Sequence, residues 1–375
     1  MLNSRVLYSN QRYKHYGGIY MKKIIAMMAM VSILLGTIGC KAAPENGSEV
    51  QAKDLKVSEK TSMHAVLDVP MEDSNMLYCV TFQLAWNELM DNVLKGDIIL
   101  DSEKEISSRL NLQKQTKGSL SPEDYIAMVG MGRDDIVKKI NDEMDRKFAE
   151  EDKWKVESEV GPDDYLAFAF LKKVLEFGTS FEKVEDGLDF KGTKVASFGI
   201  MDMKDPEVRE KLSLQVELLY YKNDKEFIIR LKDKAAKEEL YLAMLPEEET
   251  LEKMVDKARN LEGQPVKLGP SDVLNIPVIA FDIKHNYKEL ENQSILNKGF
   301  EGYSIGSALQ RIEFVLNESG AVLKSKAEIT MVTSMPVEPK SLILNDSFLL
   351  YMTETGQSDP YLVVYVDNAE ILTAK

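Results

Sequence analysis

The chain predicts an α+β fold, and three observations carry that prediction. Apolar residues recur at three- and four-residue intervals in the first half, whereas the second half alternates with period two. Strands follow helices and are joined by hairpin turns, without regular βαβ alternation, which points to segregated layers. There are only two cysteines, Cys40 and Cys79, so no disulfide framework supports the fold and a packed core must hold it.

Phe82 to Leu94 reads as an amphipathic helix. In "SPEDYIAMVG" Ser121 is a candidate N-cap, with Pro122 in the first turn and Glu123 and Asp124 near the positive helix end, so a second helix is expected there. Arg133 to Phe148 is a third amphipathic segment, and Asp164 to Phe177 is apolar throughout, so helix and strand both remain open. Strands are expected at Ser213–Tyr221, Glu226–Leu231 and Glu239–Leu245, then an exposed helix after Pro246. "VIAFDIKHNY", "ALQRIEFVLN", "SFLLYMTE" and "PYLVVYVDNAEIL" are further strands, with "TGQSD" as the turn between the last two.

The amino terminus reads as a targeting segment. "MKKIIAMMAMVSILLGTIGC" has two lysines, an apolar run from Ile24 to Leu35 and small residues before Cys40, the pattern of a signal peptide. Thr37-Ile38-Gly39-Cys40 resembles a bacterial lipobox, in which the cysteine is acylated. The expected organisation is an upstream segment at 1–20 that is not translated, a lipoprotein signal peptide at 21–39, a polar lipid-anchored tether at 40–58, and one domain at 59–375. The expected location is the extracellular face of a bacterial membrane, or the medium if Cys40 is not acylated. The chain holds 47 basic and 62 acidic residues. Five of the basic residues and none of the acidic ones precede Cys40, leaving 42 against 62, a net charge of −20. That charge argues against a nucleic-acid partner and against a basic membrane-binding surface, so the lipid is the expected membrane contact.

Enzyme chemistry has little to stand on. His15 precedes the expected start, and His64 and His285 lack zinc-site spacing, so no metal and no cofactor are expected. There is no GxSxG and no P-loop. Asp134-Asp135, Asp163-Asp164 and the "EEET" run read as solvated faces, and Cys79 as a buried structural thiol.

Several landmarks, in order, resemble the serpins. "NMLYCVTFQ" (Asn75–Gln83) is similar to that family's segment N-[IV]-x-F-S-P-x-S, with Cys79, Val80 and Phe82 where Ser-Pro-Ser is usual. "EISSRLNL" (Glu105–Leu112), "LQVELLYYKN" (Leu214–Asn223) and "ELYLAMLPEEETLEKM" (Glu239–Met254) follow the family pattern. So do "FDIKHNYKEL" (Phe281–Leu290), "ALQRIEFVLNESGA" (Ala308–Ala321) and "PYLVVYVDNAEI" (Pro360–Ile371). Phe181 lies nearest the position of the family's tryptophan. The resemblance implies a single domain of three β-sheets and about eight or nine helices. It implies a monomeric protease inhibitor, a suicide substrate whose reactive loop is cut and then inserts into the main sheet. The alternative is a non-inhibitory binding or scaffold protein that kept the fold.

By this resemblance Glu318, Ser319, Gly320, Ala321, Val322 and Leu323 form the loop hinge. The alternation after it permits insertion. Ala321, Leu323, Ser325, Ala327, Ile329 and Met331 share one face, while Lys324, Lys326 and Glu328 fall on the other. Pro336 and Pro339 keep the following segment extended. Leu323, Lys324 and Lys326, however, interrupt the run of small residues that fast insertion favours, and Glu318–Met331 also fits an ordinary amphipathic strand. Counting from Gly320 places the residue before the cut at Ser334, and aligning the downstream prolines places it at Thr333. Met335 is disfavoured because Pro336 follows it. No Arg or Lys occurs between Lys326 and Lys340, which argues against a trypsin-like target and for a shallow-pocket serine or papain-like cysteine protease.

Overall fold

The computed structural model describes residues 50–375, except 103, 150–151, 158, 202–204 and 320–337. Lys53–Lys56 (β1), inside the expected tether, is already a strand, followed by Thr61–His64 (β2) and the fully buried Asn75–Cys79 (β3). Thr81–Glu88 (α1) runs on into a π-helical turn, Leu89–Leu94, which Lys95 ends at φ 59°. Glu105–Leu110 (α2) is short, and Arg109 pairs with Glu105 one turn back at 2.5 Å.

The helix expected from Ser121 is instead a strand, Tyr125–Met131 (β4). The N-cap signature is used elsewhere: the Ser121 N–H and hydroxyl donate to the Glu354 carboxylate at 2.5 and 2.7 Å. The remaining "YIAMVGM" carries no helical period and is covered on both faces, which suits a strand. Ile136–Lys147 (α3) buries Ile136, Ile140 and Met144, one per turn, as its periodicity predicts. The ambiguous apolar segment resolves as Tyr165–Leu171 (β5), because it pairs along its whole length with β4.

Glu182–Lys183 (β6) precedes the hairpin Leu188–Phe190 (β7) and Thr193–Val195 (β8), whose turn residues Lys191 and Gly192 both have positive φ. Ser197–Ile200 (β9) leads to Pro206–Ser213 (α4), where the Asp205 carboxylate accepts from the Glu207 and Val208 N–H groups. Then come Val216–Asn223 (β10), Glu226–Lys232 (β11), Glu238–Met244 (β12) and Leu251–Leu261 (α5), with Thr250 as N-cap. Val266–Lys267 (β13), Val273–Pro277 (β14), Ile279–Asn286 (β15) and Leu309–Leu316 (β16) follow. Ser341–Ile343 (β17), Phe348–Glu354 (β18) and Leu362–Val366 (β19) close the chain.

The largest sheet has eight strands, in the order β13-β10-β11-β12-β18-β19-β3-β2. The others are β17-β14-β9-β6, β1-β15-β16, the ribbon β4-β5 and the hairpin β7-β8. The main core lies on one face of the eight-stranded sheet, with Phe227, Ile229 and Leu231 from β11. The next residue in that alternation, Ile228, joins α5 in a second core on the opposite face.

The α+β class stands, but two details differ from the expectation. There are five sheets rather than three, and five α-helices among the described residues rather than eight or nine. The sheet count rises partly because β4-β5 and β1-β15-β16 are not bonded to each other. The helix count falls because stretches such as "NLQKQTKGSLSPED" are too polar to offer an apolar helical face.

Candidate functional site: two facing strand edges and the hinge

Strand parity shows which backbone groups of β5 are free. The Lys172 N–H donates to the Asp124 carbonyl and the Gly132 N–H to the Asp164 carbonyl, so even-numbered residues form the hydrogen-bonded pairs between β4 and β5. The N–H and C=O groups of Tyr165, Ala167, Ala169 and Leu171 therefore point away from β4. The Tyr287 N–H donates to the Ala308 carbonyl, which fixes the parity of β15 and β16 in the same way. Leu309, Arg311, Glu313 and Val315 thus present their backbone groups away from β15. None of these eight residues has a backbone partner across the edge among the described residues.

The two edges share their surroundings. Helix α1 packs against β4, β5 and β16. At the lower end, the Tyr303 hydroxyl donates to the Asp163 carbonyl at 3.0 Å, and the Tyr165 ring lies 5.9 Å from that of Tyr303. At the upper end, the Phe181 N–H donates to the Glu318 carbonyl at 2.8 Å. β5 and β16 therefore run in the same direction, with their carboxyl ends at the hinge. A strap from Asp152–Trp154 bridges to β16. Lys153 pairs with Glu313, and the Arg311 guanidinium stacks 4.4 Å above the Trp154 ring while also pairing with Asp282.

A buried polar pin ties β16 to the chain behind it. Gln310 donates to the Cys79 carbonyl at 2.9 Å and to the Thr81 hydroxyl at 3.1 Å, and accepts from the Tyr287 hydroxyl at 2.7 Å. Burial pushes the Cys79 thiol above its ordinary value, although hydrogen bonds at Thr81 and Val80 oppose the shift, so it sits there as a protonated thiol. Sequence reading missed Gln310. The available signal was a glutamine on the inward, otherwise apolar parity of β16, beside Ile312, Phe314 and Leu316.

The chain leaves β16 beside β6, at the first residues of the expected hinge. Glu318 pairs with Lys183 at 3.0 Å, and the Ser319 N–H donates to the Asn317 side chain. Phe177, Phe181 and Phe198 cluster there, with centroids of 4.9 Å between the first two and 5.7 Å between the last two. Gly320, Ala321, Val322 and Leu323 lie outside the described residues, as do the cut-site candidates Thr333, Ser334 and Met335 and the lipidation candidate Cys40. The chain resumes at Glu338, and β17 pairs parallel with β14. The segment thus departs next to β6 and returns at β17, opposite edges of one four-stranded sheet.

A second cluster sits where the ribbon meets the eight-stranded sheet. The Lys173 ammonium contacts Asp124 at 2.7 Å, Glu238 at 3.0 Å and Glu354. The Tyr361 hydroxyl donates to Glu238 at 2.8 Å. Carboxylate oxygens of the three acids lie within 4.8 Å of one another, a spacing a metal ion would accept, but Lys173 already supplies the cation. Burial lowers the Lys173 pKa, but the hydrogen bonds it donates to Asp124, Glu354 and Glu238 outweigh this and hold the ammonium above its ordinary value. Burial pushes Glu238 up; at Glu354 it is outweighed by hydrogen bonds from Lys173 and Ser121, which hold that carboxyl low. His64 on β2 and His285 on β15 are both held below the ordinary imidazole value, chiefly by burial.

No family model matches the chain, and no curated protein matches it. Among solved structures, thyroxine-binding globulin in complex with thyroxine matches with a TM-score of 0.44 and 12% identity, over 79% of this chain and 93% of that one. Serpin48 from the insect Tenebrio molitor, described as a highly specific serpin, matches with a TM-score of 0.37 and 13% identity, over 78% and 91%. Both of these structures are serpins, the family that the sequence motifs resemble.

Proposed function

We propose that this chain is a serpin-like protease inhibitor that acts as a suicide substrate, held at a cell surface by a lipid on Cys40. One observation carries the reading: two same-direction strand edges, on β5 and β16, face a common helix with their backbone groups unpaired, and the hinge leaves directly from β16. A strand turning back from Glu318 and running antiparallel to both would satisfy both edges. The alternation after Gly320 suits that place, because Lys324, Lys326 and Glu328 share the outward face. An acyl-enzyme carried along by the inserting strand would be trapped before hydrolysis. Leu323, Lys324 and Lys326 favour the second reading, a chain that is cut and released as a substrate.

Mixing the protein with a panel of shallow-pocket serine and papain-like cysteine proteases separates the two. A complex that survives detergent supports inhibition. Complete cleavage without a complex supports the non-inhibitory reading. Sequencing the released fragment places the bond. Ser334 or Met335 as the new amino terminus is the expected result, and a cut confined to Lys326 or Lys340 would refute the assignment.

The anchor has its own test. Cys40→Ser should move the protein from the membrane fraction to the medium, since the net charge of the expected mature chain gives it no basic surface to hold an anionic bilayer. Retention of the variant in membranes would exclude a lipid on Cys40.

A further inference from the structure

We propose that the outer edge of β4 is a self-association surface, through which two copies of the chain pair β4 to β4, antiparallel about a two-fold axis at Met128. The proposal is independent of the protease reading and replaces the monomer suggested by sequence.

The parity that frees one edge of β5 also frees one edge of β4. Even-numbered residues bond to β5, so the N–H and C=O groups of Tyr125, Ala127, Val129 and Met131 point away from it. Among the described residues only the Tyr125 carbonyl finds a partner, accepting from the Lys147 ammonium at 2.8 Å. Ala127, Val129 and Met131 have no backbone partner on that side. The strand reads "YIAMVGM", seven residues with no charge and no proline, whose faces are covered by α1 and α3 but whose edge is not capped by a strand. Such an edge is a template for an added strand.

The sequence favours a second copy as the occupant. An isologous pair must match each residue with its own mirror about the axis. Only registers that join odd residues to odd residues bring outward groups together. The register centred on Met128 does this, pairing Ala127 with Val129 and Tyr125 with Met131. Beyond the paired ends, it brings the turn that holds Glu123 in each copy toward the 3-10 turn that holds Arg133 in the other. Both side chains are exposed; Arg133 pairs with the exposed Asp163 at 3.1 Å and donates to the Met131 sulfur at 3.1 Å, and Glu123 has no partner among the described residues. The interface thus gains opposite charges at both of its ends. Met128 faces its own copy across the axis at a non-hydrogen-bonded position, where Cα atoms lie about 4.5 Å apart, within disulfide range.

Sedimentation of the full chain carrying Cys40→Ser, over a wide concentration range, tests the proposal. A reversible monomer–dimer equilibrium is expected. Val129→Pro removes an outward N–H without touching the β4–β5 ladder and should abolish dimerisation. Arg133→Glu converts the attraction at both ends to repulsion and should weaken association roughly tenfold. Glu123→Arg with Arg133→Glu should restore it, a rescue that damage to folding would not give. Met128→Cys should yield a disulfide-linked dimer under oxidation. A chain that stays monomeric into the millimolar range overturns the proposal. A dimer indifferent to both Val129→Pro and Arg133→Glu overturns it equally, because the contact then lies elsewhere.

Discussion

Cleavage of the segment between Gly320 and Pro336 is expected to raise the melting temperature by ~10 °C or more. Before cutting, four residues on β5 and four on β16 hold outward backbone groups without partners across the edge among the described residues. A strand inserted between them would form on the order of a dozen backbone hydrogen bonds. At about 1 kcal/mol net each, the gross gain is ~12 kcal/mol. Ordering the segment costs about 1–2 kcal/mol per residue, which burial of Ala321, Leu323, Ile329 and Met331 partly offsets. A surplus of only about 5 kcal/mol suffices, since each kcal/mol moves a domain of this size by roughly 2 °C. Intact and cleaved protein should be scanned at one heating rate, because large proteins commonly unfold irreversibly and the midpoint then depends on rate. Equal midpoints would mean that the loop does not enter the gap, and the non-inhibitory reading would then stand.

The same edges show what the sequence could and could not reveal. β10, β11, β12, β18 and β19 were legible because hairpin turn residues punctuate short apolar runs. α3 was legible because Ile136, Ile140 and Met144 fall on one helical face. β4 was not. Ser121-Pro122-Glu123-Asp124 is a genuine N-cap pattern, and what overrides it is the Glu354 carboxylate, more than 200 residues away, which takes the Ser121 donors. Local propensity cannot register a partner that only the tertiary fold supplies. β1 was hidden for a similar reason. "KDLK" is polar enough to read as tether, yet it pairs parallel with β15 because the edge beyond Phe281 and Ile283 offers it a ladder. Lys183, which pairs with Glu318 from a two-residue strand, carried no signal of its own. The Lys173 cluster was invisible for a stronger reason: its members come from four segments that nothing in the sequence marks as neighbours.

That cluster yields the second large effect. Lys173→Met should destabilise the fold by about 3–5 kcal/mol at pH 7, because it leaves buried carboxylates without their cation. The Lys173 side chain is 6% exposed, and the side chains of Glu238 and Glu354 are 4% and 12% exposed, so water does little to screen the loss. The sign of the pH dependence separates this cause from lost packing. In the wild type Lys173 has a raised pKa, so its contribution is intact across the neutral range and fades only as pH rises through that value. Glu354 is held low, so its contribution is present above the ordinary 4.5 and is lost only as pH falls through its own lower value. Without the ammonium, Glu238 and Glu354 repel each other and both carboxyls rise above 4.5. A raised carboxyl costs nothing while protonated in both states, and the cost grows as pH climbs from the unfolded toward the folded pKa. The difference between variant and wild type should therefore be largest at pH 7 and shrink as the pH falls toward 4. Urea unfolding of both proteins at the two pH values measures it. A deficit that is the same at both would assign the loss to packing of the lysine stem over the Tyr361 ring, 5.3 Å from the ammonium, and not to charge. The expected outcome places an electrostatic clamp between the β4–β5 ribbon and the eight-stranded sheet. It fixes one wall of the gap at the end where the inserting strand would enter.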